Sequence, residues 1–145
     1  MAKDSKKQAR ESVAGVAIES GNILLGLRRP GVGSMDGRWE IPGGKCETGE
    51  NHCQALRREF LEELSVTIRC GELLARGSFE NRGLLHDLFA YRVELTGPVG
   101  ELNEHSKIAW YDREGLRVLI KTPGAMVESD FAIIIELLEK EGLFL

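Results

Sequence analysis

Three carboxylates, Glu59, Glu62 and Glu63, fall at positions i, i+3 and i+4 of a short run, Arg58-Glu59-Phe60-Leu61-Glu62-Glu63. On a helix that spacing projects all three from one face. Like charges so close repel and cost the helix a few tenths of a kcal/mol per pair. A cation neutralises such a cluster, and an oxygen-only donor set favours a hard one, Mg²⁺ or Mn²⁺, over zinc. A solvated acidic face is the plain alternative for the three glutamates taken alone. Their fixed distances from Gly44 and Glu50 upstream make the pattern more specific than a charge run.

A divalent metal held by carboxylates acidifies water and offsets charge on phosphoryl oxygens. Phosphoryl transfer asks a protein for positioning and electrostatic stabilisation rather than for a covalent nucleophile. No other apparatus competes. His52, His86 and His105 lie far apart without metal-ligand spacing, and neither a nucleophile elbow nor a Walker-type loop is present. His86 reads as a strand residue. Cys46, Cys53 and Cys70 are odd in number, lack zinc-type pairing and read as reduced thiols, with Cys53 in the core.

The elements that must position this chemistry are legible from pattern. Residues 1–10 are polar and aperiodic and read as a flexible tail; residues 11–145 read as one domain. Ser12 to Glu19 and Ile23 to Arg28 are β-prone runs joined at Ser20-Gly21-Asn22 as a hairpin. Pro30 to Gly37 is a glycine-rich loop, and Trp39-Glu40-Ile41 a brief strand before Pro42-Gly43-Gly44. A helix is expected from Asn51 to Leu64, with Cys53, Leu56, Phe60 and Leu64 as its apolar stripe. Strands follow at Val66 to Phe79, interrupted at Gly71, and at Leu84 to Leu95. A loop from Val99 to Ser106 leads to a late strand at Ile108 to Tyr111. The last helix is expected from Glu128 to Glu141, with Phe131, Ile134, Ile135 and Leu138 on one face. Strands in a mixed central sheet with helices on both sides make an α/β/α sandwich.

Composition limits the partners. A net charge of −4 argues against a nucleic-acid-coating role, while leaving room for a local basic patch on a small phosphorylated ligand. No apolar stretch is long enough to span a membrane and no signal-peptide core is evident, so a cytoplasmic protein is expected. The exposed side of the sheet and Gly142-Leu143-Phe144-Leu145 are candidates for a homodimer interface, with the tail packing on its own domain as the alternative.

Gly44, Glu50, Arg58, Glu59, Phe60, Glu62, Glu63 and Val66 resemble the Nudix box, G-x5-E-x7-R-E-U-x-E-E-x-G-U, where U is aliphatic or aromatic. The one departure is Ser65, where the family usually has the glycine that eases the turn out of the helix. The resemblance implies the Nudix fold and hydrolysis of a nucleoside diphosphate linked to another group. It implies Mg²⁺, with Mn²⁺ as an alternative, held by Glu59, Glu62, Glu63 and the main-chain oxygen of Gly44. Arg58 would hold the glutamates by ion pairing and Glu50 would be structural. The general base would be Glu63 or Glu59, with Glu104 as a loop-borne candidate and Glu101 as its competitor.

The segment Arg28-Arg29-Pro30 and Trp39-Glu40-Ile41-Pro42-Gly43-Gly44-Lys45 is similar to that of the MutT-like branch, which hydrolyses nucleoside triphosphates. The similarity implies that Arg29 and Lys45 face the triphosphate, where a guanidinium can make bidentate contacts. Trp39 is left structural. Asp130 matches a base-contacting position in some MutT-like members, with a helix N-cap as the alternative. The expected reaction turns a (deoxy)nucleoside triphosphate into a monophosphate and pyrophosphate. Hydrolysis of ADP-ribose or a nucleotide sugar is the enzymatic alternative, and a non-catalytic nucleotide-sensing module the third reading.

Overall fold

In the computed structural model, residues 10–31 and 36–145 are described. The expected tail therefore lies outside the described residues except for Arg10, as does the middle of the Pro30–Gly37 loop. The chain opens with β1 (Glu11–Glu19) and β2 (Asn22–Arg28), antiparallel with Glu19 opposite Asn22. Their two-residue turn places Ser20 at φ 52° and Gly21 at φ 76°. Positive φ at both central residues matches the right-handed twist of the paired strands.

Then come β3 (Trp39–Glu40), β4 (Gly43–Lys45), α1 (His52–Leu64), β5 (Ile68–Asn81) and β6 (Leu84–Leu95). They are followed by β7 (His105–Tyr111), α2 (Arg113–Lys121) and α3 (Phe131–Leu138), with short 3-10 turns at Glu128–Asp130 and Glu141–Phe144. The sheet runs β3-β2-β1-β6-β5, with β4 also pairing β1 and β7 also pairing β2. β1 and β6 are parallel and the remaining pairs antiparallel, so the sheet is mixed.

Six consecutive residues of β1 are buried, because helices cover both faces of the sheet at its centre. Val13 and Ala17 join Leu56, Phe60 and Leu64 of α1 on one side. Ala14 and Val16 join Leu116, Ile133, Ile134 and Leu137 of α2 and α3 on the other. Gly15 is where α1 approaches most closely, since a Cβ there would lie 2.3 Å from the Phe60 ring. These two cores on opposite faces are the expected α/β/α arrangement.

Four details differ from the sequence expectation. β5 continues through Gly71, and the interruption takes the form of register shifts between Cys70 and Ala75. α2, unforeseen, starts where the Asp112 carboxylate accepts a hydrogen bond from the Gly115 amide at 2.7 Å. α3 is shorter than expected and buries Ile133, Ile134 and Leu137, while Ile135 is exposed. Cys53 and Cys70 are disulfide-bonded, with Cα atoms 5.8 Å apart, rather than reduced. Cys53 is only half-buried, and the buried free thiol is Cys46.

Candidate active site

α1 carries the carboxylates and is fixed at both ends. At its start Asn51 accepts from the Gln54 amide at 2.8 Å, while the Gln54 side chain accepts from the Asn51 amide at 2.9 Å. This reciprocal capping box satisfies donors that the first turn leaves free. At its end Ser65 adopts the left-handed conformation, φ 52°, that the family's glycine would supply. Its hydroxyl donates to the Glu101 carbonyl at 2.8 Å, a contact glycine cannot make.

Arg58 is the hub of the acidic face. Its Nε and Nη2 donate to the two oxygens of Glu50 at 2.6 and 3.0 Å, and Nη1 donates to Glu59 at 2.8 Å. Nη2 also donates to the Lys45 carbonyl at 2.9 Å, and Glu62 lies 3.5 Å from Nη1. The hydrogen bond from Arg58 holds the Glu50 carboxyl below its ordinary range. The structural role expected of Glu50 has a second part, since its other contact, from the Glu47 amide at 2.8 Å, closes the turn leading into α1.

Gly44 sits against Glu59. A Cβ at Gly44 would fall 2.6 Å from the Glu59 carboxylate, so any larger residue here would push Glu59 away from the place where Arg58 holds it. Glu63 is 4% exposed, and its Oε1 is buried with no hydrogen-bond partner among the described residues. Burial first, then contact with Glu59 and the charges of Glu59, Glu104 and Glu40, push the Glu63 carboxyl well above the ordinary carboxylate range. A proton would be held there as long as no cation offsets the surrounding charge. Glu62, by contrast, is 60% exposed.

Glu104 is brought to this cluster by backbone contacts. The Gly100 and Asn103 amides donate to the carbonyls of Leu64 and Glu63 at 2.9 and 3.1 Å, and the Asn103 side chain donates to that of Glu62. The loop thereby takes up carbonyls that the last turn of α1 leaves free. Arg29 braces the same loop: its amide donates to the Glu104 carbonyl, and Nη2 to those of Leu102 and His105 at 3.2 and 3.4 Å. Glu101 meets α1 through its carbonyl, which accepts from Ser65, while the Glu104 charge acts on Glu63.

Beside Gly44 lies a groove of about 180 Å³ whose lining includes Lys45, Asp130, Phe79, Arg28 and Glu40. Lys45 and Asp130 thus share a groove with Gly44. It is Arg28 rather than Arg29 that lines it. Asp130 occupies the N-cap position of α3 but makes no capping bond there: its carboxylate accepts instead from the Ile41 amide at 2.8 Å. Burial pushes its carboxyl up to about 7, against the lowering effect of the Ile41 hydrogen bond.

Glu40, Arg28 and His105 form a polar cluster the sequence reading did not single out. Glu40 accepts from Arg28 at 3.1 Å and lies 2.8 Å from Nε2 of the fully buried His105. A Cβ at Gly26 would come within 2.5 Å of that imidazole, so Gly26 makes room for it. The available signal was a glutamate inside the otherwise apolar Trp39-Glu40-Ile41. His86 is a buried strand residue stacked on Phe79, as expected.

A model of the NUDIX domain matches residues 9–131. This chain belongs to the Nudix family. It is 36% identical over 104 residues to the CTP pyrophosphohydrolase of Escherichia coli (strain K12), covering 72% of this chain and 76% of the relative. It is 34% identical over 106 residues to a putative 8-oxo-dGTP diphosphatase 2 of Mycobacterium tuberculosis (strain ATCC 25618 / H37Rv), covering 68% and 70% of the two chains. The solution structure of the E. coli ORF135 protein superposes with a TM-score of 0.76 at 30% identity, covering 90% of this chain and 89% of the other. The protein is a Nudix hydrolase of MutT-like character, and Nudix hydrolases act with divalent metal ions. No helix among the described residues is long and apolar enough to cross a membrane.

Proposed function

We propose that this Nudix hydrolase is an Mg²⁺-dependent nucleoside triphosphate pyrophosphohydrolase, releasing a nucleoside monophosphate and pyrophosphate in the cytoplasm. The observation that carries the reading is the junction of two features at Gly44. The carboxylate cluster closes on one side of it, and the groove holding Arg28, Lys45 and Asp130 opens on the other. A triphosphate lying across Gly44 would put its phosphates at the carboxylates and its nucleoside in the groove.

The donor set fits a hard divalent cation. It is all oxygen, it leaves a buried carboxylate oxygen of Glu63 unpartnered, and at Gly44 it admits the main chain to the Glu59 carboxylate. Glu59, Glu62, Glu63 and the Gly44 carbonyl would hold the ion. Bound there, it would offset charge on the phosphoryl oxygens and acidify water.

The chain's own residues supply the rest. Arg58 keeps Glu59 on the Gly44 side by direct hydrogen bonding, and Glu50 keeps Arg58 in place. Water attacks a phosphorus of the α–β anhydride, that P–O bond breaks, and the leaving half departs with the bridging oxygen, giving a monophosphate and pyrophosphate. The water proton goes to a glutamate, Glu63 or Glu59, with Glu104 as the loop-borne alternative. Lys45 and Arg28 offset phosphate charge, and Asp130 faces the base. Arg29 acts through the loop that its guanidinium braces.

The test is a hydrolysis panel with Mg²⁺ that identifies products. It holds common and oxidised nucleoside triphosphates, ADP-ribose, nucleotide sugars and dinucleoside polyphosphates. Monophosphate plus pyrophosphate from a triphosphate is the expected result. Cleavage of ADP-ribose or a nucleotide sugar alone would overturn the substrate, and nucleotide binding without cleavage would overturn the catalytic reading.

A further inference from the structure

Across Lys45 from the carboxylate cluster, a second group of metal-binding side chains is unused by the chemistry above. Glu11 at the start of β1, Cys46 just after β4, and His52 at the start of α1 place one ligand atom each within 4.8 Å of one another. We propose that they form a separate site for a thiophilic divalent ion, Zn²⁺ by its ligand chemistry. A thiolate, an imidazole and a carboxylate make a donor set of the kind that binds zinc and that Mg²⁺ avoids.

Modest side-chain shifts would bring the three ligand atoms to the spacing such an ion requires. Metal–ligand distances of about 2.0–2.3 Å in a tetrahedral site separate the ligand atoms by roughly 3.3–3.7 Å. Glu11 Oε1 and His52 Nε2 lie 2.6 Å apart and must part by roughly 0.7 Å to admit the ion. Glu11 is 37% exposed and can swing, while the Cys46 amide is anchored to the Glu11 carbonyl at 2.9 Å.

The imidazole is already oriented. Its Nδ1 lies 2.6 Å from the Tyr91 hydroxyl, and its ring packs against Phe89 at a centroid distance of 4.5 Å. Without the ion, Nε2–H donates to Glu11 and the Tyr91 hydroxyl donates to Nδ1. With the ion on Nε2 the tautomer reverses, and Nδ1–H donates to the same hydroxyl oxygen, which serves either way. A second-shell acceptor on the non-ligating nitrogen is the usual accompaniment of a histidine ligand. The Cys46 proton goes to solvent on binding. On the fourth side lies a groove of about 730 Å³, so a water or an exogenous ligand completes the coordination. Its other lining residues include Glu47 and Glu50, which lead to Arg58.

The experiment uses the full chain with its disulfide intact and saturating Mg²⁺ present. Zn²⁺ is titrated in competition with a chromophoric chelator, and Co²⁺ replaces it for spectroscopy. The site predicts one Zn²⁺ per chain, insensitive to further Mg²⁺, and a cobalt spectrum with a thiolate charge-transfer band and the intense visible bands of four-coordination. Cys46→Ser should abolish that band, and His52→Gln should weaken Zn²⁺ binding at least tenfold. A doubly substituted Cys53→Ser, Cys70→Ser protein should keep the band, which excludes those sulfurs as its source. Zn²⁺ affinity unchanged by His52→Gln, or cobalt binding with no thiolate band in the unsubstituted protein, overturns the site. Both readouts stand even if Cys46→Ser fails to fold.

Discussion

Around Arg58, four carboxylates drawn from residues 47 to 62 share one guanidinium. Around the groove, three polar contacts reach across the chain: Arg28 to Glu40 over 12 residues, His105 to Glu40 over 65, and Asp130 to Ile41 over 89. The first region is organised by one helix and the turn before it, so its geometry follows from local spacing. The second exists only after β2, β3, β7 and the start of α3 have assembled. A catalytic group built locally tolerates change in the surrounding fold, whereas a pocket built from distant pieces can change its ligand without disturbing the chemistry.

The largest expected effect breaks the local region. Glu63→Gln removes a carboxylate that is buried and has one unpartnered oxygen. Electrostatic help to phosphoryl transfer contributes several kcal/mol, so turnover should fall about 10²- to 10³-fold. The fold should survive, because an amide carries no charge to desolvate in that site. Product-resolved kinetics beside a thermal melt check both halves. Retention of full activity by a folded variant would remove Glu63 from the site.

The difference in construction also explains what the sequence revealed. The helix from Asn51 to Leu64 and its carboxylate face were legible because period and glycine spacing are local signals, and α1 lies within one residue of the expected start. The hairpin at Ser20-Gly21 was legible for the same reason. The Cys53–Cys70 bond was not, since it joins a helix to a strand that pairing alone brings alongside. Nor was the role of Asp130, because its partner is a backbone amide 89 residues away in the chain. The stripe assigned to α3 holds at Phe131, Ile134 and Leu138 but is wrong at Ile135, because Ile133, Ile134 and Ile135 run consecutively. With three adjacent apolar residues, composition does not say which pair faces the core.

A second prediction probes the long-range region through pH. The Asp130 carboxyl stands at about 7 in the fold against an ordinary value of 3.8. The folded state therefore holds this proton more tightly than the unfolded chain. The resulting stability is complete below pH 3.8 and is lost as pH rises through about 7. Asp130→Asn keeps an acceptor for the Ile41 amide and carries no titrating proton. Between pH 6 and 8 the wild-type protein should lose on the order of 1 kcal/mol relative to that variant. Denaturant melts of the pair at several pH values measure the difference directly. A gap that stays constant across this range would mean that Asp130 titrates as an ordinary exposed carboxylate.

The smallest effect tests the hinge joining the two regions, where Ser65 ends α1 and holds the loop that carries Glu104. Two terms oppose each other on replacing it with glycine. Relief of a left-handed backbone at a non-glycine residue gains roughly 1 kcal/mol. Loss of the hydroxyl bond to the Glu101 carbonyl costs about as much. Ser65→Gly should thus change stability by no more than about 0.5 kcal/mol, even though it restores the residue usual in the family. Ser65→Ala keeps the backbone penalty and loses the bond, so it should cost about 1 kcal/mol. If the alanine and glycine variants melt alike, the left-handed turn carries no strain, and the hydroxyl bond alone explains why serine serves at this position. If glycine is clearly more stable than the wild type, the bond to Glu101 contributes little, and the loop is held to α1 chiefly through the amides of Gly100 and Asn103.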